Sequence, residues 1–162
     1  MNNNMPNIYN LYRRDFTIQY SLNTVFGAFI FLGGMYWADP TTIAFVPFAA
    51  LPVALVGLIV FAVRYNTVMS ILRDGVLVKG RVDNFDHHET REKDDWGRVK
   101  SRRYSYYVNV SYTVNGEAYK KNIRMPSSGF MFNIHDKQEV ELLYKESSPR
   151  TVLLKNIYFS NY

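Results

Sequence analysis

Between Asp15 and Asp39 the chain carries no charged residue, and between Asp39 and Arg64 it carries none again. The second gap contains TTIAFVPFAALPVALVGLIVFAV, apolar around its whole circumference. Wound as a helix at about 1.5 Å per residue, residues 42–63 rise roughly 33 Å, enough for a hydrocarbon core of about 30 Å. A membrane-spanning helix is therefore expected over 42–63.

The first gap is less regular. Its most apolar part, 25–37 (VFGAFIFLGGMYW), is too short to cross alone. Counting back to Ile18 gives 20 uncharged residues but admits Gln19, Ser21, Asn23 and Thr24. A second spanning helix is expected over 18–37, its polar end at the interface or against a partner helix. A cleaved signal peptide is the competing reading, and it lacks a small-x-small cleavage site, since Met35, Tyr36 and Trp37 stand there. The turn around Asp39 holds no Lys or Arg, whereas Arg13 and Arg14 precede the first helix and Arg64, Arg73, Lys79 and Arg81 follow the second. By the positive-inside rule this multi-pass pair has both termini in the cytoplasm. Tyr36 and Trp37 are then outer-interface anchors, and Tyr12, Phe16 and Tyr20 inner ones.

Within the second helix Ala50, Ala54 and Gly57 form a small-residue stripe that lets another helix approach, with Gly27, Gly33 and Gly34 the nearest candidates to meet it. Packing within the hairpin is favoured over contact with a second copy. Pro47 and Pro52 are expected to bend the outer half of this helix.

Outside the bilayer the chain divides into three parts. Residues 1–16 form a lead-in in which Ile8, Tyr9, Leu11, Tyr12 and Phe16 recur at helical spacing, either an amphipathic helix on the cytoplasmic interface or a frayed terminus. Residues 64–75 continue the second helix through Val68, Ile71 and Leu72 until Asp74 and Gly75 stop it. Residues 76–162 read as a β-domain. There Val78, Gly80 and Val82 alternate with Lys79, Arg81 and Asp83. Tyr104, Tyr106, Val108, Val110, Tyr112 and Val114 then share a face, with Tyr107 the aromatic exception on the polar side. Asn115 and Gly116 form a two-residue hairpin that sets Tyr112 opposite Tyr119 and Val108 opposite Ile123. Lys121, opposite Val110, is discordant on that apolar face. Further strands are expected at 139–144 and 151–154, giving five antiparallel strands in a small barrel or open sandwich, and an α+β membrane protein overall. The segment 87–102 (HHETREKDDWGRVKSR) reads as a long hairpin arm or a mobile loop, with Trp96 at its tip.

Composition and motifs narrow the chemistry. With no cysteine there are no disulfides, thiolate zinc sites or thiol nucleophiles. Asp86, His87, His88 and Glu89 suggest a metal, yet adjacent strand residues point to opposite faces, so no metal site is expected. Ser127, Ser128 and Gly129 lack the nucleophile-elbow pattern, and neither phosphate-cradling nor dinucleotide fingerprints occur, so no catalytic residues and no cofactor are assigned. The tyrosines fall on the face the hairpin must bury, which argues against nucleic-acid stacking. Residues from Arg64 onward carry 17 Lys/Arg against 12 Asp/Glu, the protein's whole net charge of +5. In the cytoplasm that balance favours contact with anionic headgroups. Met125 and Pro126 with Gly129, Phe130, Met131 and Phe132 form an apolar loop that either caps the small core or meets the membrane or a partner.

Gly80, Arg81 and Val82, the segment 107–116 (YVNVSYTVNG), and 140–144 (VELLY) with Pro149 carry a resemblance. Over about residues 75–155 the chain resembles the bacterial membrane-anchored proteins of domain-of-unknown-function family 3592. It departs from them at His135, Asp136 and Lys137, where a Gly-Asp turn is usual. It departs again at Lys145, Glu146, Ser147 and Ser148, which replace an acidic residue and a proline. The resemblance implies a small β-domain beside helices in a bacterial inner membrane, and no activity. The expected function is a non-enzymatic accessory or scaffold subunit contacting other membrane proteins. A membrane immunity protein that neutralises a toxin and a subunit of an oligomeric channel are the alternatives.

Overall fold

In a computed structural model that describes residues 5–38 and 46–159, three helices precede a five-stranded sheet. Helix α1 spans Ile8–Arg14, α2 spans Phe16–Ala38 and α3 spans Val46–Asp74. The lead-in is thus helical, with Asn7 as its N-cap, its side chain accepting from the Asn10 amide at 2.9 Å. Leu11 is buried, while Ile8 and Tyr9 stay exposed. The expected outer turn around Asp39 lies outside the described residues. Pro47 falls in the first turn of α3, where a missing N–H costs nothing, so only Pro52 stands inside the helix.

Both α2 and α3 are long and apolar enough to cross a membrane, and most of their apolar surface is uncovered. Phe26, Phe29, Ile30, Phe48, Leu55 and Ile59 all face outward. An apolar surface of that extent needs a non-aqueous cover, and it fits a membrane protein. The two helices pack on each other through Ser21, Val25 and Ala28 of α2 and Ala50, Ala54 and Gly57 of α3, with Leu32 alongside. A Cβ on Gly57 would lie 2.9 Å from Val25 Cγ2 and 3.1 Å from the Ser21 carbonyl. Gly27, Gly33 and Gly34, expected to receive the stripe, instead have nothing within 4 Å of a Cβ. The small side chains that matter on α2 are those at i, i+4 and i+7 from Ser21, which a count of glycines overlooks.

Helix α3 runs on past the apolar stretch and ends at Gly75, whose amide donates to the Ile71 carbonyl at 2.9 Å. A Cβ at Gly75 would strike that carbonyl, so the turn into the sheet requires glycine. Strands β1 (Val76–Lys93), β2 (Val99–Val114), β3 (Glu117–Met125), β4 (Glu139–Lys145) and β5 (Ser148–Leu154) follow, with a 3-10 turn at Gly129–Phe132 and a short C-terminal helix α4 at Lys155–Phe159. All pairings are antiparallel, in the order β3-β2-β1-β4-β5. The β2–β3 hairpin has the expected register, Tyr112 facing Tyr119, Val108 facing Ile123 and Val110 facing Lys121. In β1 a bulge at Asp83 resets the alternation, so Phe85 rather than Asn84 shares the inner face with Val82.

The sheet curls without closing into a barrel. Its edge strands β3 and β5 come near each other, and the Tyr112 hydroxyl crosses the interior to donate to the Pro149 carbonyl at 2.9 Å. Into the concave side pack Leu11, Ile18, Val68, Ile71 and Leu72 from the helices, against Val108, Val110, Leu142 and Leu154. The helical extension is therefore a wall of the core and not a spacer. Helices and sheet share one continuous hydrophobic cluster.

Candidate functional site at the helix–sheet junction

Asp15 is the residue on which the junction turns. It breaks the helix between α1 and α2 with an extended backbone, its own amide closing α1 on the Leu11 carbonyl at 2.8 Å. Its Oδ1 caps α2, accepting from the amides of Thr17 at 3.0 Å and Ile18 at 3.2 Å. On the other side Arg64 of α3 donates to Oδ2 from Nε at 3.0 Å and from Nη2 at 2.7 Å. The Tyr158 hydroxyl of α4 donates to the same oxygen at 2.7 Å. The Asp15 residue is only 3% exposed, so these five donors replace its hydration entirely. A helix N-terminus and a guanidinium are both favourable to a carboxylate, which is why the charge is tolerated there.

Tyr158 and Arg14 complete the clamp. Burial first, then the neighbouring Asp15 charge, pushes the Tyr158 phenol above its ordinary range, so it stays protonated as a donor. Arg14 Nη1 donates to the Tyr158 carbonyl at 2.8 Å. The short α4 is thus held at two atoms by residues 143 and 144 positions earlier.

A second cation approaches from β3. The Arg124 guanidinium carbon lies 3.9 Å from the centre of the Phe16 ring, at the start of α2, with Tyr20 and Tyr107 rings farther off. Its Nη2 donates to Ser105 Oγ at 3.2 Å, while its Nε is buried with no hydrogen-bond partner among the described residues. Between β3 and β5, where the sheet stays open, a cavity of about 220 Å³ reaches the junction. Arg14, Asp15 and Arg64 line its helical end, Lys121 and Arg124 its β3 side, and Thr151 and Tyr158 the opposite wall.

The residues singled out by sequence lie elsewhere. Trp96 stands at the tip of the β1–β2 arm and is 83% exposed. The arm is a hydrogen-bonded ladder rather than a loop, with pairs continuing from Asn84 opposite Asn109 out to Lys93 opposite Val99. At its tip Asp94 accepts from the amides of Trp96 and Arg98, and Gly97 takes φ +76°, a conformation that suits glycine. Phe132 is half-buried against the core and Met131 is exposed, so the Gly129–Phe132 turn caps the core with one residue and presents another. The side chain of Phe130 lies outside the described residues. His87 and His88 face Tyr106 and Ser105 across the ladder on opposite faces, and no metal-holding group of three acidic or histidine side chains occurs among the described residues.

Sequence reasoning passed over the Asp15–Arg64 pair, although a signal for it exists. An Asp just before an apolar helical run is an N-cap signature, and two antiparallel helices bring the start of one level with the end of the other. Tyr158 had no such signal, since its reach depends on how the whole sheet folds back. Compared with family models, with curated proteins and with solved structures, the chain matches none.

Proposed function

We propose that this protein is a non-enzymatic membrane scaffold: α2 and α3 cross the bilayer as a hairpin, and the sheet stands on the cytoplasmic face as a rigid platform for other membrane proteins. One observation carries the reading. The sheet is joined to the helices by a buried Asp15–Arg64–Tyr158 clamp and an unbroken α3, so its orientation is held rather than tethered. A domain that needs only proximity to the membrane is served by a flexible linker. A fixed orientation is useful when one surface must face a neighbour.

The surface so presented is the β1–β2 arm. Beyond the last residue pair with β3 the two strands run on through residues 88–93 and 99–105, roughly 20 Å at about 3.3 Å per residue. An ordered turn displays Trp96 at the end, and tryptophan is the residue type that contributes most at protein contacts.

The test is photocrosslinking in native membranes from position 96, with the tryptophan replaced by a photoreactive phenylalanine. A discrete adduct with another membrane protein is expected, absent when the probe is moved to exposed Lys79 near the start of β1. Adducts only to lipid, or none at both positions, would sink the scaffold reading.

A further inference from the structure

We propose that the cavity between β3 and β5 binds the phosphate group of an anionic ligand, and that the ligand is the headgroup of a membrane phospholipid. Its charge balance is the first argument. Four cationic side chains, Arg14, Arg64, Lys121 and Arg124, line the cavity against a single carboxylate, Asp15. Asp15 already accepts from Arg64 at 2.7 Å, Arg14 is engaged elsewhere, and among the described residues no carboxylate lies within ion-pair distance of Lys121 or Arg124. A concave site with an excess of positive charge and restricted water strengthens its field toward anions.

Donor geometry is the second argument. Arg124 lines the cavity with its guanidinium stacked on Phe16 and one Nη on Ser105, and its Nε is buried with no hydrogen-bond partner among the described residues. Burying part of a guanidinium is costly, and an anion that reaches its remaining N–H groups from the cavity offsets that cost. Lys121 pairs with buried Val110 on edge strand β3, and its exposed side chain lines the cavity, where an anion can meet it. Size agrees as well: about 220 Å³ is far more than the ~10–15 Å³ that one water needs on the same measure, room for a phosphate with part of its hydration.

The lipid source rests on the membrane reading given above, whereas the phosphate chemistry does not. If α2 and α3 span the bilayer, Asp15 and Arg64 mark the cytoplasmic end of the two uncharged stretches, the depth at which headgroup phosphates lie. A headgroup reaches the cavity there while its acyl chains remain along the exposed faces of α2 and α3.

The full chain in neutral detergent is to be titrated with phosphatidylglycerol, with phosphatidylcholine of the same acyl chains, and with inorganic phosphate. Bound lipid is read by native mass spectrometry and phosphate by thermal stabilisation. Wild type is expected to retain phosphatidylglycerol over phosphatidylcholine, and Arg124→Gln to weaken that retention about tenfold, the scale of one charge-assisted hydrogen bond. Lys121→Glu, at an exposed side chain that the fold does not need, should weaken it at least as much. Equal phosphatidylglycerol retention by wild type and Lys121→Glu overturns the site. Stabilisation by inorganic phosphate that Lys121→Glu removes, without lipid selectivity, supports the phosphate site and overturns its lipid source. Extraction of the chain by alkaline carbonate without detergent rejects the membrane reading separately and leaves the phosphate arm to decide the site.

Discussion

Replacing Asp15 by alanine should be the most damaging single change near the junction, because one side chain serves three elements at once. Its loss uncaps α2, which costs about 1 kcal/mol. It also strands Arg64 beside an apolar core, where breaking a buried pair costs about 3–5 kcal/mol. That figure must be reduced here, since the Arg64 side chain keeps 28% of its exposure and recovers some hydration. The Tyr158 hydroxyl loses its acceptor too, but it can turn to incoming water. A net loss of about 3 kcal/mol is expected once the overlap among these contributions is counted. Asp15→Asn retains an oxygen for the cap and should lose about 1 kcal/mol less. The discriminating variant is Asp15→Ala with Arg64→Met. If the damage comes from an uncompensated charge, the double variant is more stable than Asp15→Ala alone. Denaturant unfolding in a fixed detergent, read by the near-ultraviolet signal of the tyrosines, measures all four proteins. A loss under about 0.5 kcal/mol for Asp15→Ala, the size of an ordinary surface change, refutes the reasoning. So does a double variant less stable than Asp15→Ala.

Three further outcomes follow from other parts of the molecule. Gly57→Ala should loosen the α2–α3 seam by about 1–3 kcal/mol, because its Cβ meets Val25 Cγ2 at 2.9 Å and the Ser21 carbonyl at 3.1 Å, whereas Gly34→Ala, with open space, should be neutral or better; cysteine crosslinking across the seam reads the difference. Trp96→Ala should leave the unfolding midpoint unchanged and abolish adducts trapped from a probe at a neighbouring arm position; a shifted midpoint would mean the tip belongs to the fold. Tyr158→Phe should cost about 1.5 kcal/mol at neutral pH, and the two proteins should converge at high pH. The sign follows from a folded-state phenol raised above the unfolded value of about 10: protonation favours the fold, so this stability is present below pH 10 and declines above it by up to about 1.4 kcal/mol per unit. Parallel pH profiles for the two proteins would exclude that coupling.

What the sequence disclosed was whatever depends on local period and charge. The two apolar runs set α2 and α3, Gly75 stops α3, and Asn115 with Gly116 sets the register of β2 on β3. Each of these is decided within a few residues by sterics or burial. The missed features all require contact between distant parts. The bulge at Asp83 serves packing of Phe85 against Val108 on the next strand, and nothing in the local alternation announces it. The seam on α2 is formed by Ser21, Val25 and Ala28 because of how the hairpin rotates, not because they are its smallest residues. The strand order, with β4 inserted beside β1, leaves β3 and β5 as facing edges, and the cavity exists only because that gap stays open.

Lys121 shows how a local inconsistency in a sequence becomes informative once the fold is known. A lysine opposite a buried valine breaks the binary pattern of its strand, and such a violation is maintained when it brings a gain elsewhere. An edge strand has one ordinary reason to carry lysine, which is to discourage pairing with another chain. That reason predicts a solvated ammonium pointing away from other cations. Lys121 is exposed but also lines the same cavity as Arg124 and the Asp15-paired Arg64, a grouping of like charges that a bound anion would relieve. The edge-protection account and the anion account therefore separate on one substitution. Lys121→Gln would leave edge protection weakened and the protein prone to associate under the first, with apparent stability otherwise unchanged. Under the second it relieves repulsion, so the ligand-free protein in neutral detergent becomes slightly more stable while its response to phosphate is lost. Association without that gain in stability would assign Lys121 to the sheet edge alone.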